Sequence, residues 1–326
     1  MGEGGESLSG AASRFRADWQ ALDPSGRVCL AVSGGPDSLA LMLLMQEVAP
    51  RDFCVATVDH GLRAESAAEA AMVAGLCEMR GIAYHTLRLD LAGGSAVQER
   101  ARKARYAALA DLARRDGLSA VVTAHHADDQ AETLVMRLNR GAGLRGLAGM
   151  RAASSVPGAG EVRLLRPLLG WRRAELVALV EDAGLAPVLD PSNHDHRYER
   201  VRIRDVMAST KALLPSGFAA SASHLAEADA ALEWAVERLW LDIGMSAEGS
   251  TWNPPEDLPR VLALRLLERV VMHLGGTVPR GPDLVRWLAT LRAGGVATLA
   301  GVKGDARSGA WRFSRAPEHR SDRRPD

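Results

Sequence analysis

The chemistry-bearing residues of this chain fall in a few short clusters. The first is Ser33-Gly34-Gly35-Pro36-Asp37-Ser38. Paired glycines let a backbone approach a ligand closely and take unusual φ. An apolar β-type run, Val28–Val32, precedes the cluster, and a helical pattern, Asp37–Val48, follows it. The start of such a helix offers free N–H groups and the positive end of its dipole to an anion. Ser33 and Ser38 add hydroxyl donors, so the segment reads as a phosphate cradle. It is not GxxxxGK[ST], and no lysine lies near it. Asp37 is out of place beside phosphates unless a divalent cation mediates or it serves as an ordinary helix-start acid.

Four further clusters carry polar chemistry. Asp59-His60-Gly61-Leu62-Arg63 closes a second strand. Glu99, Arg102 and Arg105 recur at intervals of three in a long charged segment and so share neighbouring helix faces. In Thr123-Ala124-His125-His126-Ala127-Asp128-Asp129-Gln130-Ala131-Glu132-Thr133, Asp129 and Glu132 lie on one helix face, with His125 four residues before Asp129. Histidine with carboxylates can hold zinc. A triphosphate instead calls for Mg²⁺ held mostly by phosphate oxygens and one or two carboxylates, and magnesium is the preferred reading. The last cluster is Asp190-Pro191-Ser192-Asn193 with Tyr198-Glu199-Arg200-Val201-Arg202-Ile203-Arg204. An extended chain aligns Arg200, Arg202 and Arg204, whereas a helix pairs Arg200 with Arg204; both gather arginines beside Tyr198, which is available for base stacking. Gly141–Gly146 satisfies GxGxxG but follows a helix rather than a strand, so it lacks the dinucleotide-binding context.

An alternating pattern positions these clusters. Strands are expected at Val28–Val32, Phe53–Val58, Ala83–Leu89 and Ala120–Ala124, with Val162–Leu165 as a fifth. Helices are expected at Asp37–Val48, Glu65–Arg80, Ala96–Arg115, Asp128–Leu138 and Arg172–Ala183. Strands alternating with helices predict a Rossmann-like parallel sheet covered on both faces, with ligands at the carboxyl ends of its strands. Residues 151–161 read as a flexible loop. Three helices are expected later, at Phe218–Leu241, Leu258–His273 and Asp283–Leu291. A hairpin follows over Val296–Phe313, around Gly304 to Gly309, and Arg315–Asp326 reads as a frayed tail. The expected organisation is an N-terminal extension (1–26), an α/β catalytic domain (27–215) and a smaller, mainly helical C-terminal domain (216–326).

The chain has 326 residues, 47% of them apolar, and formal net charge zero. It can bury a core, which excludes global disorder. Zero charge argues against coating nucleic acid by bulk charge, yet its distribution is uneven. Residues 1–100 carry net −5 and residues 251–326 net +5. All basic residues except Lys103, Lys211 and Lys303 are arginine, which suits phosphate geometry. Cys29, Cys54 and Cys77 form no CxxC and read as core residues of a reduced, cytoplasmic protein. The acidic, Gly-rich start is unlike a signal peptide, and no apolar run is long enough for a membrane span.

Ser-Gly-Gly-x-Asp-Ser after the first strand resembles the PP-loop (N-type) ATP pyrophosphatases. Val58-Asp59-His60-Gly61-Leu62-Arg63 and the His125–Thr133 element resemble one branch, the tRNA(Ile)-lysidine synthases, as do Arg166-Pro167-Leu168-Leu169 and the segment after Asp190. Val201 departs from the asparagine usual there. The matches run in the family's order over about residues 28–204. The resemblance implies ATP-dependent ligation of free L-lysine to C2 of the wobble cytidine in tRNA(Ile) with a CAU anticodon, through an adenylated intermediate. It implies ATP and Mg²⁺ as cofactors and is compatible with a homodimer. By residue, it implies ATP contacts from Ser33, Gly34, Gly35, Pro36, Asp37, Ser38, Asp59 and His125, with Asp37 also on magnesium. Asp129 and Glu132 would contact lysine, Arg105 would be a functional arginine, and Arg200 and Arg204 would face substrate. A related 2-thiocytidine synthetase needs paired cysteines that are missing here. A non-catalytic ATP-binding module would not need the carboxylate pair and the arginine cluster.

Overall fold

A computed structural model describes residues 8–59, 61, 65–89, 97–188, 195–210 and 212–317. His60, Leu62, Arg63, Asp190–Asn193 and most of the expected tail lie outside these. The chain divides into two compact units, residues 1–226 and 227–326.

The first unit is built on β1 (Val28–Ala31), β2 (Phe53–Asp59), β3 (Tyr84–Arg88), β4 (Ala120–Val122), β5 (Ala153–Val156) and β6 (Ala159–Leu165). Its sheet has the order β3-β2-β1-β4-β6-β5, parallel except for β5. Alternate residues of β1 serve opposite cores. Val28 and Leu30 face one, and Cys29 faces the other with Cys54 of β2. Such two-sided burial explains the unbroken apolar strands. The order reverses between β1 and β4, so the crevice lies at their carboxyl ends.

One face is covered by α1 (Leu8–Gln20), α2 (Pro36–Val48), α3 (Glu65–Met79) and α7 (Arg173–Asp182), the other by α4 (Val97–Arg115). Ser38 through Met45 are all buried in α2. A helix that is apolar all round needs cover on every side. α1 and α7 supply it, with Phe15 and Trp171 fully buried. Arg14 of α1 bonds Glu175 Oε1 at 2.6 Å and sits 4.1 Å over the Trp171 ring, while Trp171 Nε1 donates to Asp18. Residues 8–20 thus pack into the core of the first unit. Residues 151–161 also differ from expectation: they form the β5–β6 hairpin, turning at Gly158 (φ +81) with Val156 and Ala159 buried. A serine-rich edge strand has too weak an alternation to be read from sequence.

The expected division after residue 215 meets the start of α9 (Pro215–Ile243), and the two units part inside that helix. In the second unit, α10 (Arg260–His273) and α11 (Gly281–Arg292) pack with a four-stranded antiparallel sheet, β7-β10-β9-β8. Its strands are β7 (Ser250–Trp252), β8 (Val296–Leu299), β9 (Val302–Asp305) and β10 (Trp311–Arg315). The expected single hairpin is therefore one part of a larger sheet. Its core holds Trp252, Trp287, Trp311 and Phe313.

Candidate active site

The loop after β1 is shaped by its glycines. Gly34 has φ +84, and a Cβ there would meet Met72 and Val188 side-chain atoms at 3.0 Å. The Gly34 carbonyl accepts Val188 N–H at 2.9 Å, which ties the segment after α7 back onto the loop. Ser38 Oγ accepts Ser33 N–H at 3.2 Å and donates to Gly35 O at 2.9 Å. No side chain caps the start of α2, so its N–H groups remain for a ligand.

Opposite this loop stands the start of α5 (Ala127–Asn139), carried by β4. His126 forms a capping box with Asp129: its N–H donates to Asp129 Oδ2 at 3.1 Å and its Nδ1 accepts Asp129 N–H at 3.3 Å. An accepting Nδ1 leaves the ring proton on Nε2, which lies 3.6 Å from Asp37 Oδ2 and 3.5 Å from Asp129 Oδ2. Burial disfavours the imidazolium, but Asp37, Asp129 and Asp128 outweigh it and hold the His126 pKa above its ordinary value. Asp37 and Asp129 are thus gathered around one buried imidazole. Asp37 Oδ1 is buried with no hydrogen-bond partner, and Arg173 Nε is 3.9 Å from it.

The rest of α5 is tied down by arginines. Asp128 accepts bonds from the Arg172 guanidinium and, at 2.8 Å, from Arg173 N–H, joining the starts of α5 and α7. Burial opposes ionisation of Asp128, but Arg172 and the Arg173 N–H prevail and lower its pKa. Glu132 is 2% exposed and takes Arg204 at 2.7 Å and Arg200 at 3.4 Å. Both arginines belong to α8 (Glu199–Ser209), so the helical alternative holds; Arg202 turns away to the carbonyls of His196 and Arg197. Val201 is buried in α8.

Asp59, His125 and Arg105 make contacts of their own. Asp59 ends β2, where its Oδ1 accepts Gly61 N–H at 3.0 Å and the Ser66 hydroxyl at 2.6 Å, the pattern of a helix-start acid. His125 Nδ1 bonds Thr123 Oγ1 at 2.8 Å. Burial brings the His125 pKa down to about 4; Asp129 opposes this while Arg166, Arg102 and Arg105 add to it. The ring is therefore neutral near pH 7. Arg105 stands with Arg102 around Tyr106 on α4. The GxGxxG segment runs into the short α6 (Leu144–Leu147), and Gln130 clamps the Met150 backbone from both sides at 2.7 and 2.8 Å.

Residues 10–210 match the PP-loop domain family. Over 90% of its length the chain is 40% identical to the tRNA(Ile)-lysidine synthase of Zymomonas mobilis, covering 89% of that protein. It is also 40% identical to the enzyme of a Bradyrhizobium species, covering 91% of this chain and 92% of the other. The chain belongs to the tRNA(Ile)-lysidine synthase family. A solved U34-tRNA thiolase from Methanococcus maripaludis has the same fold, with a TM-score of 0.55 and 19% identity over 68% of this chain and 78% of the other.

Within this lysidine synthase fold, sequence reasoning passed over His126, Asp128, Arg172 and Arg173. A signal for His126 was present: it stands three residues before Asp129, the spacing of a capping box. The other three required knowledge that α7 begins beside α5. The unpartnered Asp37 Oδ1 fits a hard divalent cation. Among the described residues no group of three or more His, Cys, Asp or Glu side chains is placed to hold a metal ion.

Proposed function

We propose that the protein ligates L-lysine to C2 of the wobble cytidine of an isoleucine tRNA with a CAU anticodon, using ATP and Mg²⁺. The observation that carries this reading is the meeting of the glycine loop, Asp37, His126 and Asp129 at the β1/β4 reversal. It occurs in a chain 40% identical to lysidine synthases over nine-tenths of its length.

In the first step the C2 carbonyl oxygen of cytidine attacks the α-phosphorus of ATP, and the bond to the departing diphosphate breaks. The loop's N–H groups offset the charge on the phosphates. Asp37 would hold magnesium, which when bound neutralises phosphate charge. In the second step the lysine ε-amine attacks C2 and AMP leaves from the activated oxygen. Asp129 orients the amine and takes up its proton. Glu132 acts through Arg204 and Arg200, which it holds toward the RNA. Ser33, Gly35, Pro36 and Ser38 line the ATP phosphates, and Asp59 shapes the adenosine edge. The cytidine leaves the single-stranded anticodon loop to reach the crevice, where extrusion is cheap.

No described helix is long and apolar enough to cross a membrane, which supports action in the cytoplasm. The homodimer is proposed on family resemblance alone, and sedimentation of the purified protein decides it. A thiolating reading is disfavoured because all three cysteines are buried within the sheet-and-helix cores. The test of function is transfer of labelled lysine to an isoleucine tRNA transcript, with AMP and diphosphate released in equal amounts. Hydrolysis of ATP without lysine transfer would overturn the proposal.

A further inference from the structure

Helix-start positions favour Ser, Thr, Asp or Asn, whose short side chains turn back to the first free N–H groups. At the start of α5 a histidine takes that place, and it is 3% exposed. Its backbone is fixed on both sides. The His126 carbonyl accepts Gln130 N–H at 3.1 Å, and the next N–H, of Ala127, donates to Trp171 O at 2.8 Å. The Asp129 N–H on Nδ1 at 3.3 Å then orients the ring. A short cap ends near the place of Nδ1. The imidazole carries a second nitrogen beyond it, and Nε2 arrives 3.6 Å from Asp37 Oδ2 and 3.5 Å from Asp129 Oδ2. Both separations exceed a tight hydrogen bond, so one N–H is shared between two carboxylates rather than given to either.

These carboxylates belong to different elements. Asp37 opens α2 beside the glycine loop, and Asp129 opens α5. Among the described residues, His126 is the one ion-pair partner that Asp37 and Asp129 share. Carboxylates gathered in a buried site repel one another, and an N–H aimed between them offsets that repulsion while fixing their spacing. We propose that His126 is a positioning residue for the ligation. Its Nε2–H sets the distance between the carboxylate serving the ATP phosphates and the carboxylate serving the lysine amine. The adenylated cytidine then forms within reach of the attacking nitrogen. The roles of the two carboxylates rest on the proposed function; the shared contact does not.

Two substitutions separate the two edges of the ring. His126→Asn keeps an acceptor for the Asp129 N–H and has nothing to offer Asp37. His126→Gln carries its amide nitrogen out toward the place of Nε2 and gives up the cap. Lysine transfer is measured at saturating substrates, ATP and lysine binding by calorimetry, and stability by the melting midpoint. His126→Asn should melt within about 1 °C of wild type, because asparagine caps well. It should bind ATP and lysine within about threefold of wild type, yet lose about a hundredfold in kcat, the cost of an ångström of misplacement. Label from ATP carrying ³²P at the α-phosphate should then accumulate on the tRNA as the adenylated intermediate. His126→Gln should melt about 3 °C lower for want of the cap and recover about tenfold of the lost kcat. A merely structural histidine lowers rate and midpoint together, with His126→Gln the slower enzyme, and that order overturns the proposal. A loss confined to the binding of one substrate overturns it too. His126→Asn turning over at the wild-type rate overturns the positioning role and leaves the proposed function standing. Wild-type protein that transfers no lysine overturns both.

Discussion

The crevice and the α9–α10 seam of the second unit use the same residue types to opposite ends. Along the seam, acids on α9 meet arginines on α10 in step: Asp229 and Glu233 with Arg265, then Glu237 with Arg269. Trp240 continues the ladder, 4.8 Å from the Arg269 guanidinium and 5.5 Å from His273. Asp229 is 1% exposed and Arg265 8%, yet each has a partner. At the crevice, Asp37 Oδ1 and Arg166 Nε are equally hidden and have no hydrogen-bond partner. Buried polar groups that satisfy one another build structure, whereas buried polar groups left open mark where a ligand completes them.

The sharpest way to break this contrast is Asp37→Ala. The open carboxylate contributes to chemistry and little to packing, so lysine transfer should fall by about a thousandfold or more, on the order of 4 kcal/mol in the barrier. The melting curve should be unchanged. Near-normal turnover would remove Asp37 from the ATP site. Arg265→Ala should do the reverse. It removes the Arg265 guanidinium from the buried Asp229 carboxylate and should destabilise the second unit by about 3–5 kcal/mol. Denaturant titration followed by tryptophan fluorescence would measure that loss, and a normal midpoint would show the seam to be dispensable.

Glu132→Gln lies between these extremes, because Glu132 is satisfied yet borders the crevice. Releasing Arg204 should raise the KM for tRNA about tenfold, with a smaller change in the KM for lysine. A loss confined to lysine would instead make Glu132 a direct lysine ligand. Asp128 adds a pH test. Its pKa is lowered by the fold, so its tie to Arg172 stabilises fully above the ordinary carboxylate value and is lost as pH falls through the lower folded value. Asp128→Asn should therefore flatten the acid limb of the stability profile below about pH 4. The smallest effect belongs to Glu237→Ala: that pair is exposed, and the midpoint should stay within about 1 °C of wild type.

The contrast also explains what could be read from sequence. Periodicity reports which residues a helix or strand buries, so α2, α5 and the parallel strands emerged close to their true limits. The glycine loop was legible because φ at Gly34 and its close neighbours leave room for little else. The β5–β6 hairpin and β7 were not, since short polar edge strands carry almost no alternation. Asp59 and Glu132 were visible as polar residues at the right edge, but their pairing with Ser66 and Arg204 was not. Pairing between elements depends on which helix starts beside which. That is why Asp128 with Arg172 appeared only once the sheet order was known.

The contacts of α1 and of Val188 impose an order on synthesis. Arg14 emerges 161 residues ahead of Glu175, its ion-pair partner. The carbonyl of Gly34 likewise waits for the N–H of Val188. While the chain is still on the ribosome, the nucleotide loop exists as sequence but not as a finished shape, and the apolar α2 lacks its outer cover. Nucleotide capture should therefore switch on late and abruptly along a series of arrested nascent chains, once the segment through Val188 has cleared the exit tunnel.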